Sequence, residues 1–177
     1  MPRRLKQDER FMRWAQERSQ LFLALRNATI PVKLQAYKQL EKRILSEARS
    51  EGEKREMQRR ISMDLLMAAS DGSWRGFSPY LKRVERLGYS SMFDRLAACV
   101  LAAEAAKGSP AGARKVVSLI TQIEQRLRGR KLHPGVRDEF EGGLARARKL
   151  LGLEALKEMH VHGGSEVGVR GASKMAK

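Results

Sequence analysis

A chain of 177 residues fills one ordinary domain, or a small domain with an extended helical arm, and is too short for two full domains. Hydrophobic residues make up 42% and charged residues 32%, which supplies a core and excludes a wholly disordered chain, while no apolar run approaches the roughly 20 residues of a membrane-spanning helix. The formal charge is +16, from 36 Lys and Arg against 20 Asp and Glu; it points to an anionic partner, although arginine-rich codon usage would also produce it.

Over residues 8–28, Phe11, Trp14, Ala15, Leu21, Phe22, Leu25 and Ala28 recur at three- and four-residue spacings and predict an amphipathic helix whose stripe Arg18 interrupts. Ile30-Pro31 is expected to break it, since proline lacks an amide hydrogen and disfavours helix in the residue before it. A second helix follows from Val32 to Arg49 on Leu34, Tyr37, Leu40, Ile44, Leu45 and Ala48, with a bend at 50–53. Met57, Ile61, Leu65 and Ala68 define the third apolar face, widened by Met63, Leu66 and Met67.

Ser78-Pro79 reads as an N-cap followed by proline in the first turn, predicting a helix from Pro79 to about Leu87 closed by Gly88. Ser91 with Asp94 caps the next helix, which bears Phe93, Leu96, Val100 and Leu101 and ends near Lys107-Gly108. Ser109-Pro110 starts another, carrying Val116, Ile120, Ile123 and Leu127, with Gly129 beyond its end. His133-Pro134 opens the last long helix, with Val136, Phe140, Leu144, Ala147 and Leu151. Its Gly142-Gly143 pair lowers helix stability by about 1 kcal/mol per glycine and suits close helix packing.

No stretch alternates apolar and polar residues over strand length, so the fold class is all-α: a multi-helix bundle or irregular helical-hairpin array of six to seven helices. The two Ser-Pro starts suggest hairpin repeats, but the residue pattern of tetratricopeptide repeats does not recur. The organisation expected is an N-terminal hairpin or arm over 1–52, a bundle over 53–160, and a flexible glycine-rich tail over 161–177. A short helix over 153–159 is also expected.

Chemistry finds little support in the pattern. Glycines sit at helix ends or in the tail rather than in a phosphate-binding loop between strand and helix. Glu158, His160 and His162 form the one ligand-like cluster, but their spacing suits solvated tail residues better than a zinc site. Cys99, in an Ala-Ala-Cys-Val-Leu setting, reads as a small buried hydrophobe in a reducing compartment. Trp74 and Phe77 read as aromatic anchors of the core. No catalytic residue, metal or cofactor is expected, and with no signal-peptide pattern the expected location is the cytoplasm.

The positive charge belongs to the helices: residues 1–60 carry net +8, 61–152 net +7, and the remainder +1. Lys82, Arg83 and Arg86 are expected to project together, opposite Leu81, Val84 and Leu87. Arg55 and Arg59 point away from Met57 and Ile61, and Arg128, Arg130 and Lys131 crowd a helix end, where cations also suit the dipole. These eight are the candidate contacts to nucleic-acid backbone, DNA or RNA, in a non-catalytic accessory subunit of a larger assembly. The alternative is a helical adaptor or regulator whose residues 8–49, with too few partners inside one chain, dock another protein or form a homo-oligomer.

Overall fold

The computed structural model describes residues 2–152, with side chains from residue 9 onward. Among the described residues the chain is all-α, with seven helices and no strand. They are α1 (Pro2–Ala24), α2 (Ile30–Glu47), α3 (Glu51–Ala69), α4 (Trp74–Leu87), α5 (Met92–Ala105), α6 (Pro110–Leu127) and α7 (Pro134–Leu150). The expected short helix over 153–159, the tail, and the cluster of Glu158, His160 and His162 lie outside the described residues.

Serine side chains set the starts of α3, α5 and α6. Ser50, Ser91 and Ser109 are extended, and their hydroxyls accept from the amides of Glu53 (3.1 Å), Asp94 (3.0 Å) and Gly112 (3.2 Å). Each satisfies one of the amides that a helix leaves without a partner in its first turn. The Glu53 carboxylate also accepts from the amide of Arg49, the residue before the N-cap, at 2.7 Å, so the 50–53 segment, expected as a bend or short loop, caps the start of α3. At the other end of α4, Gly88 has φ 81°, a conformation that favours glycine.

Two boundaries differ from the sequence expectation. The break after α1 falls at 25–29, and Ile30-Pro31 forms the first turn of α2 instead of the break, because an amide at that position needs no helical partner. More consequentially, α4 starts at Trp74, so Pro79 lies inside a helix rather than at its start, and Ser78 is not its N-cap. Phe77 is fully buried and Trp74 packs beside it, ring centroids 5.8 Å apart. Burying large apolar side chains contributes about 1.5–3 kcal/mol each, comparable to the ~3 kcal/mol that an internal proline costs.

Two apolar cores meet at α3. Trp14, Tyr37, Leu40 and Ile44 from α1 and α2 pack with Met57, Ile61, Leu65 and Ala68. From the adjoining side of α3, Leu66 and Ala69 join Phe77, Leu81, Val84 and the buried residues of α5, α6 and α7. α3 is therefore apolar over most of its circumference towards its C-terminus, which makes it the wall shared by both cores. At the α4–α6 contact a Cβ on Gly112 would lie 2.7 Å from that of Ala106 and 2.9 Å from the Trp74 ring.

Besides the buried Trp14, ion pairs hold α1 on this body. Arg18, which interrupts its apolar stripe, donates through Nε and Nη2 to the two carboxylate oxygens of Asp64 on α3, at 2.6 and 2.7 Å. Arg10 pairs with the buried Glu53 at 2.5 Å, and Arg43 of α2 with Glu17 at 2.6 Å. Glu47 accepts from Arg13 and, at 3.0 Å, from the indole N–H of the fully buried Trp14. Much of the N-terminal positive charge is thus spent inside the molecule.

Candidate nucleic-acid interface

The eight candidate cations divide by what their side chains touch. Arg55, Lys82, Arg86, Arg128, Arg130 and Lys131 are exposed and make no ion pair among the described residues. Arg83, expected to project with Lys82 and Arg86, instead pairs with the buried Glu41 and ties α4 to α2. Arg59 donates from Nε to the Leu87 carbonyl at 2.9 Å, capping the C-terminus of α4 as basic side chains do there. Arg146 and Arg148 are likewise held, by Glu104 and Glu124.

Hairpin succession brings the exposed group to one end of the molecule. The Arg59–Leu87 contact sets the N-terminal half of α3 beside the end of α4. Arg95 Nη1 donates to Gln122 Oε1 at 3.0 Å, setting the start of α5 beside the last turns of α6, and Phe93 stacks on Phe140 of α7. Arg55, Lys82 and Arg86 thus lie on helix halves that face this end, and Arg128, Arg130 and Lys131 line one groove there.

The second group borders a groove of about 690 Å³ between α6, the following loop and α7. Leu127, Leu132, Phe140 and Leu144 give it an apolar floor. Arg128, Arg130, Lys131 and Arg137 line it without an ion pair among the described residues, while Glu124 is engaged by Arg148 and leaves Glu141 as the unpaired carboxylate on its wall. Sequence reasoning found three of these cations but not Arg137 or the floor. That Arg137 faces the same space as Arg128 depends on how α7 packs, and only a helix-start prediction at His133-Pro134 pointed towards it.

A smaller cavity of about 300 Å³ lies between Arg18, Arg59, Arg60 and the α4–α5 connection. The hydroxyl of Tyr89, one of its lining residues, is buried without a partner, and burial pushes its ionisation well up. The Arg95 guanidinium sits 4.5 Å from the centre of the Tyr89 ring. Cys99 is buried, and loss of solvent raises its thiol to about 12, so it packs as the small hydrophobe expected.

The face expected to dock a protein is largely consumed. Trp14, Tyr37, Leu40 and Ile44 are buried within the chain, with Leu21 and Leu25 packed against that core, so α1 and α2 do find their apolar partners in α3. Met12, Phe22 and Leu23 stay exposed, at 72%, 48% and 68%. Phe22 and Leu23 border a depression of about 360 Å³ with Ala15, Ser19 and Met67. No described helix is long and apolar enough to cross a membrane.

No family model, no curated protein and no solved structure matches this chain.

Proposed function

We propose that this is a non-catalytic accessory protein that holds nucleic-acid backbone, with the groove between α6 and α7 as its principal contact. The observation that carries the reading is the gathering of Arg128, Arg130, Lys131 and Arg137 around one open groove while other arginines of the chain are neutralised internally. Cations left unpaired beside a concave surface attract phosphates, and neutralising them releases counterions from the nucleic acid. Affinity is then steeply salt-dependent and largely indifferent to sequence.

Fluorescence anisotropy of a labelled oligonucleotide, titrated with the protein over a series of salt concentrations, tests this. Binding should be measurable at low salt and fall linearly on a log–log plot as salt rises. An affinity unchanged between low and moderate salt, or no binding at low salt, rejects the proposal.

A second reading, an adaptor engaging another protein through α1, is supported by the exposed Phe22 and Leu23 and the adjoining Met67. An exposed apolar patch of this kind suits a protein partner better than a phosphate. Purification from the native host with and without nuclease separates the two readings. A partner retained after nuclease, and lost on Phe22→Ser with Leu23→Ser, supports the adaptor; a partner released by nuclease supports a nucleic-acid bridge.

A further inference from the structure

Beside the groove lies an aromatic arrangement for which backbone binding alone has no use. Phe93, in the first turn of α5, is 42% exposed, and its ring stacks on Phe140 with centroids 4.9 Å apart and planes 25° from parallel. Phe140 is buried and forms part of the groove floor. The inner ring, which lines the groove, thus holds the outer one in a fixed orientation one ring away from it. A single exposed phenylalanine is ordinary on a protein surface and would carry nothing alone. Here it stacks on Phe140, which lines the groove together with Leu127, Leu132 and Leu144, and the cations border the same groove.

Those three elements match the chemistry of an unpaired nucleotide. A base is a flat ring with an apolar face, attached to a phosphate that carries full charge. Stacking on aromatic side chains together with a positively charged track is the common way proteins hold single strands without reading sequence. In a duplex the base faces are covered by their neighbours, and a ring beside the phosphates has nothing to stack on.

Building on the backbone-binding reading above, we propose that this end of the molecule takes single-stranded nucleic acid, with one base stacked on Phe93 and the backbone carried by Arg128, Arg130, Lys131 and Arg137. The contribution of stacking makes the strand preference large enough to measure. Loss of one aromatic–base stack corresponds to a drop in affinity of about 5-fold or more.

The full chain is titrated with a single-stranded oligonucleotide containing 2-aminopurine and with the same sequence as a duplex. Tighter binding of the single strand and quenching of 2-aminopurine fluorescence on binding are expected. Phe93→Leu, which keeps an apolar contact with Phe140, should weaken the single strand about 5-fold or more and remove the quench; Phe93→Tyr should restore both, and duplex affinity should not change. The strand comparison and the quench are read on the unmodified protein, so they stand whether or not the leucine variant folds. Equal affinity for both strands, or a full quench in Phe93→Leu, overturns the single-strand inference and leaves backbone binding standing. Failure to bind either form overturns both.

Discussion

Two adjacent glycines in α7 occupy opposite environments. A Cβ on Gly142 would meet nothing within 4 Å, whereas one on Gly143 would lie 2.8 and 2.9 Å from the methyl groups of Leu96 and 3.0 Å from its Cγ. Leu96 is 6% exposed and has little room to turn away. Gly142→Ala should therefore return the full helix-propensity gain, about 1 kcal/mol. In Gly143→Ala the same gain is offset by about 1–3 kcal/mol of overpacking, so the variant should be neutral to destabilised. Urea denaturation of the two single variants checks this, and equal stabilisation of both would mean that Leu96 yields freely. The sequence made the glycine pair visible and suggested close packing, but could not say which of the two faced α5. Arg18 was opaque for a related reason. It looked like a flaw in an apolar stripe until its partner, Asp64 on α3, came into view.

At the level of elements, α1 is the helix whose attachment depends most on ionised groups. Burial pushes the Glu53 carboxyl up, but the Arg49 amide and the Arg10 guanidinium outweigh it and leave it below its ordinary 4.5. Glu47 is held below the same value chiefly by the Trp14 indole N–H, with Arg13 and Arg43 adding to it. Both carboxyls thus bind protons less readily in the folded state than in the unfolded one. The stability they contribute is present above about pH 4.5 and is lost as pH falls through their lower folded values. On acidification α1 should release before the α3–α7 core unfolds. With Trp74→Phe leaving Trp14 as the single tryptophan, its emission should shift to longer wavelength at a higher pH than the loss of helical ellipticity; coincident transitions would refute a separate release. Element boundaries were most legible where a capping serine or a first-turn proline marks them, at Ser91, Ser109 and His133-Pro134. They were misread at α4, where Ser78-Pro79 has the local signature of a start but the burial of Phe77, settled by helices elsewhere in the chain, extends the helix past it.

For the whole molecule, a net charge of +16 says less than the division between cations that the fold uses and those it leaves free. The total could be counted from the sequence, and so could its spread through the helices. The division could not, because it depends on acids distant in the chain: Glu41 for Arg83, Glu124 for Arg148. It makes the two kinds of arginine separable by experiment. Arg83→Gln leaves the buried Glu41 without its partner and should lower stability by about 1–3 kcal/mol, while oligonucleotide affinity, measured where the variant is fully folded, stays within about 2-fold. Replacing Arg128, Arg130 and Lys131 together by Gln removes exposed cations that bond nothing among the described residues, so thermal stability should hardly move. Affinity should fall, and because each phosphate contact to a single strand contributes about 0.7 to the slope of log affinity against log salt, that slope should flatten by about 2. The paired measurement decides whether the surplus charge is a binding surface: if the triple variant keeps the wild-type slope, the cations bordering the α6–α7 groove are not where the phosphates sit.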